Sequence, residues 1–566
     1  MEKKWKIREK YSEDFENKFP ELSLVFLQLL YNRGLDDQDQ IDIFLGPDYH
    51  RDLHDPFLFN DMKKAVAIVK QAIKEKKKII IYGDYDADGV TSTAVLYLTL
   101  QKLGAKNLSV YIPNRLIEGY GMNKKAVDEI IQTGTDLIIT CDCGISNVEE
   151  IAQAQAKGIQ VIVTDHHLPS KKLPTAEAII CATVAGEKYP FKKLAGVGVA
   201  FKLAQAILSV DEKNKAFEKW LLDLVAIGTV ADMVPLFGEN RILVKWGLLV
   251  LNKTQRLGLQ ELISSINAKG DLGTYNIGFQ IAPRLNAAGR MEHANTAYEL
   301  LVTADEVEAM AITNELTEKN KQRQKITEKM IKISLEQIGE PTAKDKILFS
   351  HYDKWSPGLV GLVAGRLNDK FHRPMIVFGK NGNKYVGSGR SIEEFDITRA
   401  LGECQEYLED FGGHTQACGL TIIGEDNFNK FKEKIIKIAA TELKDVELMP
   451  SLDIEAEIKL SQANWELIDA LDKFAPFGEG NSEPLFVTHN LEICDMITMG
   501  TNNQHLRLDL KDNSLEKCKK FVGFGLVEKW INEIKIGDKI DVVYRLSVNE
   551  WNGNREIEFM IEDIKI

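Results

Sequence analysis

The chain has 566 residues, 44% of them hydrophobic and 27% charged, with a net charge of −13 at pH 7; at about 150 residues per domain it is too long for one core and predicts about three or four modules. An acidic total excludes a protein that coats nucleic acid through bulk charge, although it leaves room for a local basic groove. No apolar run approaches the ~18 residues of a membrane span, no secretory h-region follows the basic start, and seven cysteines without framework spacing make a disulfide scaffold unexpected, so no membrane and a reducing, cytoplasmic location are expected.

In chain order, residues 1–60 carry no assignable pattern and are set apart as an N-terminal segment. From about residue 76, short β-branched runs alternate with helical stretches. Ile79–Tyr82 reads as a buried strand, Val90–Leu103 as a helix closed by Gly104, and Leu108–Ile112 as the next strand. Leu137–Thr140 and Ile159–Thr164 repeat the rhythm. Strand, helix, strand in this order predicts an α/β, doubly wound parallel sheet, here assigned to 61–302. Residues from Ala304 to Ile338 contain neither Gly nor Pro and predict one long connecting helix, assigned to 303–343, which at 1.5 Å per residue would span roughly 50 Å. Lys346–Ser350, a helix around Val360–Leu367, and Pro374–Phe378 predict a second, smaller α/β domain over 344–446. In 447–566, the short runs 485–487, Leu506–Leu510, Lys520–Phe524 and Ile540–Tyr544 predict a small β-barrel of OB type.

Ligands of an open parallel sheet bind beyond the carboxyl ends of its strands. Asp84, Asp86 and Asp88 follow the first strand, Asp142 follows Leu137–Thr140, and Asp165, His166 and His167 follow Ile159–Thr164. Any one aspartate there is usually a helix cap or a turn residue. Three within five residues, facing two more and two imidazoles, repel one another unless cations neutralise them. Carboxylates with imidazole suit Mg²⁺ and especially Mn²⁺. Cys141 and Cys143 diverge on a strand end and are not expected to ligate. Asp232, in Gly228–Leu236, follows an apolar stretch that fits helix or strand. Two cations sharing a carboxylate, for which Asp142 is the candidate, would polarise a phosphate and activate water. Gly196-Val197-Gly198 is a poor dinucleotide fingerprint and reads as a helix start.

The segments 82–92, 142–144, 165–167 and 228–232 together resemble the four motifs of the DHH phosphoesterase superfamily. Within it, the chain is similar to the bacterial branch that degrades single-stranded DNA 5′→3′ to 5′ mononucleotides in recombination and repair. Residues 113–121, 283–290, 387–391, 411–414 and 476–481 extend the resemblance. It implies a DHH domain, a DHH-associated substrate domain and two Mn²⁺ or Mg²⁺ ions held by Asp84, Asp86, Asp88, Asp142, His166 and Asp232. His167, with Asp165, would serve the scissile phosphate. Arg115, Arg284, Asn286, Ser388, Arg390 and His414 would bind the DNA backbone and its 5′ phosphate. Single-stranded DNA is the implied partner, with a single-strand-binding protein and a helicase as further candidates. Ser356 and Ser482 depart from residues common in the superfamily branch. The competing expectations are a DHH phosphodiesterase for short RNA or cyclic dinucleotides, and a non-catalytic nucleic-acid-binding scaffold.

Overall fold

The computed structural model describes residues 3–209, 212–268, 270–515, 517–551 and 553–566. The chain divides into two compact units. The larger comprises 54–234 and 246–448; the other gathers the residues up to 53, 235–245 and 449–566.

The larger unit opens on a five-stranded sheet of β1 (Ile79–Gly83), β2 (Leu108–Tyr111), β3 (Leu137–Cys141), β4 (Gln160–Thr164) and β5 (Ala178–Ile180). The order is β2-β1-β3-β4-β5 and every pairing is parallel. All residues of β1 and β3 are buried, as a sheet covered on both faces requires. Helix α1 (Ala87–Lys102) follows β1 directly. It starts three residues before the sequence pattern suggests, because Asp86 caps it through its side chain. Helices α2 (Gly196–Leu208) and α3 (Leu222–Ala231) pack on α1. Asp232 therefore caps the C-terminus of a helix, which resolves the helix-or-strand ambiguity of the stretch before it.

A helical run, Thr274–Asn276, a π-type turn over Ile277–Ile281 and α4 (Ala282–Met291), leads to α5 (Glu306–Ile338). Helix α5 is one uninterrupted helix of 33 residues, capped by Asp305. Ala309, Ile312, Leu316 and Met330 bury one stripe of it, so it is held along its length by α4 and α6 rather than crossing open solvent. The second sheet of this unit has the order β9-β10-β8-β7-β6, built from β6 (Leu348–Asp353), β7 (Met375–Asn381), β8 (Lys384–Arg390), β9 (Asp410–His414) and β10 (Ala417–Ile423). Only β6 and β7 pair in parallel. Helix α6 (Pro357–Phe371) lies on β7 and β8.

In the other unit, β11 (Phe486–Met499), β12 (His505–Lys511), β13 (Lys519–Gly523), β14 (Lys539–Trp551) and β15 (Asn554–Lys565) pair in the order β11-β12-β13-β15-β14. An additional β14–β11 ladder makes the pairing cyclic. The fifth strand, Asn554–Lys565, had no counterpart in the sequence reading. The first segment belongs here: Lys4–Ile7 pairs in parallel with Ser451–Ile454. Arg241 is 1% exposed, and its guanidinium donates to the carbonyls of Phe44, Lys473, Ala475 and Pro476 while lying 3.8 Å from the Phe44 ring. The 476–481 segment is thus a structural turn, fixed by the Asn481 amide on the Phe474 and Pro476 carbonyls. No disulfide scaffold is expected from the cysteine spacing; Cys494 and Cys518 are nevertheless joined in one disulfide, because β11 and the loop before β13 bring them together, and five other cysteines are free and buried. Among the described residues no helix is long and apolar enough to cross a membrane.

Candidate metal centre

Asp84, Asp86 and Asp88 leave the end of β1, Asp142 leaves β3, His166 and His167 leave β4, and Asp232 arrives from the end of α3. Their donor atoms fall into three overlapping groups, each within 4.8 Å: Asp84, Asp86 and Asp142; Asp142, His166 and His167; and Asp88, His166 and Asp232. Asp142 and His166 each belong to two groups, and the Asp142 carboxylate, with two oxygens, is the one that can be shared between two neighbouring cations. Asp142 adopts φ +60°, a left-handed conformation uncommon for a residue with a side chain and typical of functional sites.

Asp84 Oδ1, Asp142 Oδ1, His166 Nε2 and Asp232 Oδ2 are buried and lack any hydrogen-bond partner. Such atoms in a folded interior are costly unless something absent from the bare protein satisfies them. His166 Nε2 lies 3.1 Å from Asp142 Oδ1 and 3.7 Å from Asp232 Oδ2. Burial, reinforced by His167, lowers the His166 pKa to about 4, so the ring is neutral and offers a lone pair. Burial and then the other aspartates raise Asp142 and Asp88, the latter to about 7. Asp84 and Asp232 rise for the same two reasons. Unpartnered carboxylate oxygens, a neutral imidazole and mutual repulsion fit a pair of hard or borderline divalent cations.

Other backbone and side-chain groups hold the cage in shape. Asp86 Oδ1 accepts from the amides of Asp88 and Gly89. Both oxygens of Asp88 accept from the first amides of α2, at 2.7 Å from Gly196 and 2.8 Å from Val197. Gly196-Val197-Gly198 is the helix start it was read to be, and its amides are also the grip on Asp88. A Cβ on Gly196 would lie 2.5 Å from Asp142 Oδ1, so only glycine fits. Asp165 is satisfied on both oxygens: Oδ1 by the His166 and His167 amides and by His167 Nδ1, Oδ2 by the Ile145 amide. It orients His167. Tyr120 Oη, 2.9 Å from His167 Nδ1, also donates to the Asp142 carbonyl. Sequence reasoning passed over Tyr120, although it lies inside the 113–121 segment. Burial alone would lower the His167 pKa, but Asp165 overcomes it and raises it.

Of the expected phosphate ligands, Arg115 and Arg390 lie within electrostatic reach of Arg290 and of each other. Arg390 Nη1 donates to Ser388 Oγ at 3.0 Å, and the Arg115 guanidinium stacks 4.8 Å over the Tyr85 ring. Asn286 Oδ1 accepts from the Ala87 amide inside the aspartate loop. Arg284 Nη1 donates to the Gln280 carbonyl while its buried Nε has no partner. Arg290, quoted in the sequence only as part of a segment, donates Nη1 to the Gly358 carbonyl. Burial, Arg115 and Arg323 push its pKa down to about 9. Guanidiniums crowded in this way attract an anion. His414 stands apart from the cage at the exposed end of edge strand β9. Through Ala417 it shares a row with Arg390, so the two lie on one face of the sheet, about 10 Å apart across two strand spacings. Ser356, a departure noted in the sequence, caps α6 without a side-chain bond.

One consequence is measurable without substrate. Between 3.8 and about 7, folded Asp88 keeps a proton that the unfolded chain has released, so stability without cations falls as pH rises through that window. After chelation, Tm is expected to be lower at about pH 8 than at about pH 5.5, and Mn²⁺ to restore more of it at the higher pH. A metal-free Tm that rises over this range would remove the cage from this account.

Residues 78–229 match the family described as the DHH family, N-terminal domain; 344–441 match the DHHA1 domain and 454–563 the RecJ OB domain. The single-stranded-DNA-specific exonuclease RecJ of Bacillus subtilis is 41% identical over 547 residues, covering 95% of this chain and 67% of that protein. Its Escherichia coli counterpart is 34% identical over 531 residues, covering 89% of this chain and 90% of that one. Among solved structures, RecJ of Thermus thermophilus in complex with Mn²⁺ superposes with a TM-score of 0.83 at 28% identity, over 100% of this chain and 79% of that one. Exonuclease RecJ bound to manganese superposes with a TM-score of 0.59 at 34% identity, over 69% of this chain and 98% of that one.

Proposed function

We propose, from the premise that this chain belongs to the RecJ family of single-stranded-DNA-specific exonucleases, that its cage hydrolyses the terminal phosphodiester of single-stranded DNA 5′→3′ and releases 5′ mononucleotides. The observation that carries the site assignment is the convergence of four buried, unpartnered donor atoms, three at the carboxyl ends of parallel strands and the fourth, on Asp232, at the end of α3. Two Mn²⁺ or Mg²⁺ ions bound there supply activated water at neutral pH and charge stabilisation at the leaving oxygen.

The protein's own residues do the rest. Asp142, whose carboxylate has two oxygens, would be the shared ligand, and Asp84, Asp86, Asp88, His166 and Asp232 would complete the two sites. Asp165 and Tyr120 fix the His167 ring through its Nδ1, which leaves Nε2 to face the scissile phosphate. Arg390 and Ser388 take the 5′ phosphate, with Arg115 beside them; Arg284, Asn286 and His414 guide the strand. Gripping the terminal phosphate at a fixed distance from the cage sets the end from which cutting starts and leaves it indifferent to base identity. Helix α5 fixes the gap between the two sheets of the larger unit, and a narrow gap excludes duplex. The cyclically paired strands of the other unit are read as an OB-type barrel that adds contacts to the single strand. Intracellular DNA repair is the setting, with a single-strand-binding protein and a helicase as candidate partners.

The deciding assay incubates the full chain with Mn²⁺ and 5′-labelled single-stranded DNA and follows nucleotide release. None would leave a non-catalytic scaffold standing. In the same assay Arg390→Ala is expected to reduce the preference for a 5′-phosphorylated over a 5′-hydroxyl end by about tenfold or more, as losing a charge-assisted hydrogen-bond pair does. An unchanged preference would detach Arg390 from the 5′ phosphate.

A further inference from the structure

Two large aromatic side chains stand out on the surface of the larger unit. Tyr275 is 65% and Phe279 70% exposed, and their rings stack on each other with centroids 4.9 Å apart and an interplanar angle of 28°. Exposed rings are not rare singly, but a stacked pair held in place on a rigid element is a ready surface for a third planar group. The element is rigid: Ile277 and Ile281, between and after them, are fully buried, and the Asn276 amide ties to Gln280 Oε1 at 2.9 Å. It is also the same helical run that supplies the phosphate ligands. The Gln280 carbonyl accepts from Arg284, and Asn286, about 10 Å further along the helix axis from Phe279, reaches the Ala87 amide in the aspartate loop. Next to Phe279, a side chain on Gly278 would meet nothing within 4 Å, so the approach to the rings is open.

We infer that Tyr275 and Phe279 form a stacking platform for the bases of single-stranded DNA, engaging the nucleotides that follow the one being released. The inference rests on the exonuclease reading above. It adds a physical source of strand selectivity: unpaired bases have free faces to stack, whereas bases in a duplex have already used theirs. Base–aromatic contacts tolerate any sequence because every base has a π-face. The platform therefore favours single strands without reading them, which width exclusion alone would do only by rejecting duplex.

The test is a cycle between protein and DNA, run on the full chain with Mn²⁺. The variants are Tyr275→Ala, Phe279→Ala and the double variant; the substrates are a 5′-phosphorylated 20-mer and the same 20-mer with its second to fourth nucleotides abasic, which keep their phosphates and lose only their bases. Removing each ring is expected to raise KM by about five- to 150-fold, the span of base–aromatic stacking, with kcat little changed. The abasic substrate should cost the wild type a similar factor and the double variant less than about twofold. Both residues are exposed, so the fold should survive, and Tyr275→Phe should retain wild-type KM. As a second readout, Phe279→Trp places an indole whose fluorescence oligothymidine should quench in the presence of a chelator. Equal abasic penalties in wild type and double variant, with no quenching, would overturn the platform and assign the rings to a protein surface. A wild type that releases no nucleotide but whose introduced indole is quenched would overturn the exonuclease reading and leave the platform standing.

Discussion

Asp142→Ala is expected to lower kcat by at least about 10³-fold, because the shared ligand of two cations is lost and with it several kcal/mol of charge stabilisation at the reacting phosphate. Asp142 belongs to two of the three donor groups, so neither cation site survives its removal intact. The proposed DNA ligands Arg115, Arg390 and Ser388 hold positions set by Tyr85 and β8 and do not depend on Asp142. Binding of single-stranded DNA, measured by anisotropy without cleavage, should therefore change by less than about threefold, and removing a buried, mutually repelling charge should leave metal-free Tm equal or higher. Residual activity above about a tenth of wild type would take Asp142 out of the bridging position.

Gly196→Ala tests the support rather than the ligands. The new methyl would sit 2.5 Å from Asp142 Oδ1 and 2.7 Å from its Cγ, both in a buried environment, so the start of α2 must move. Moving it breaks the two amide bonds that hold Asp88. Loss of such outer support costs about 10- to 100-fold in metal affinity or activity. Titration of the chelated protein with Mn²⁺ by calorimetry should show that weakening. Gly402→Ala, at a glycine with nothing within 4 Å of an added Cβ, serves as the control and should bind Mn²⁺ like the wild type.

Much of the cage could be read from the chain because its ligands obey a local rule: each sits just beyond an apolar strand, where a parallel sheet binds ligands. Asp86 illustrates why such readings compete. As a helix cap it fulfils the ordinary expectation for its position, and the same loop places it within reach of Asp84 and Asp142. What escaped the sequence depends on long-range packing. The Gly196 and Val197 amides meet Asp88 across more than a hundred residues of chain, and no periodicity announces an amide that points at a carboxylate. Tyr120 enters the sequence reading only within the 113–121 segment, and only the fold brings its hydroxyl to His167. Arg290 enters the sequence reading only within the 283–290 segment and Arg323 only within the long helix, and neither setting announces the charges the fold brings together. Residues 1–60 carry no assignable pattern, and 235–245, assigned by pattern to the 61–302 domain, fall in the other unit, for the same reason: their partners lie far away along the chain.

The buried Arg241 bears on how this protein can be cut and recombined. Three of the four carbonyls that receive its guanidinium belong to residues 473–476, and the fourth belongs to Phe44. The terminal unit is therefore sewn from three separate stretches of chain, one of them an insertion into the middle of the polypeptide. A single cut after residue 448 does not excise a module. It strands a desolvated cation whose acceptors have been carried away, and any shortened or chimeric version must either keep both chain ends together or replace Arg241 and the apolar faces beside it.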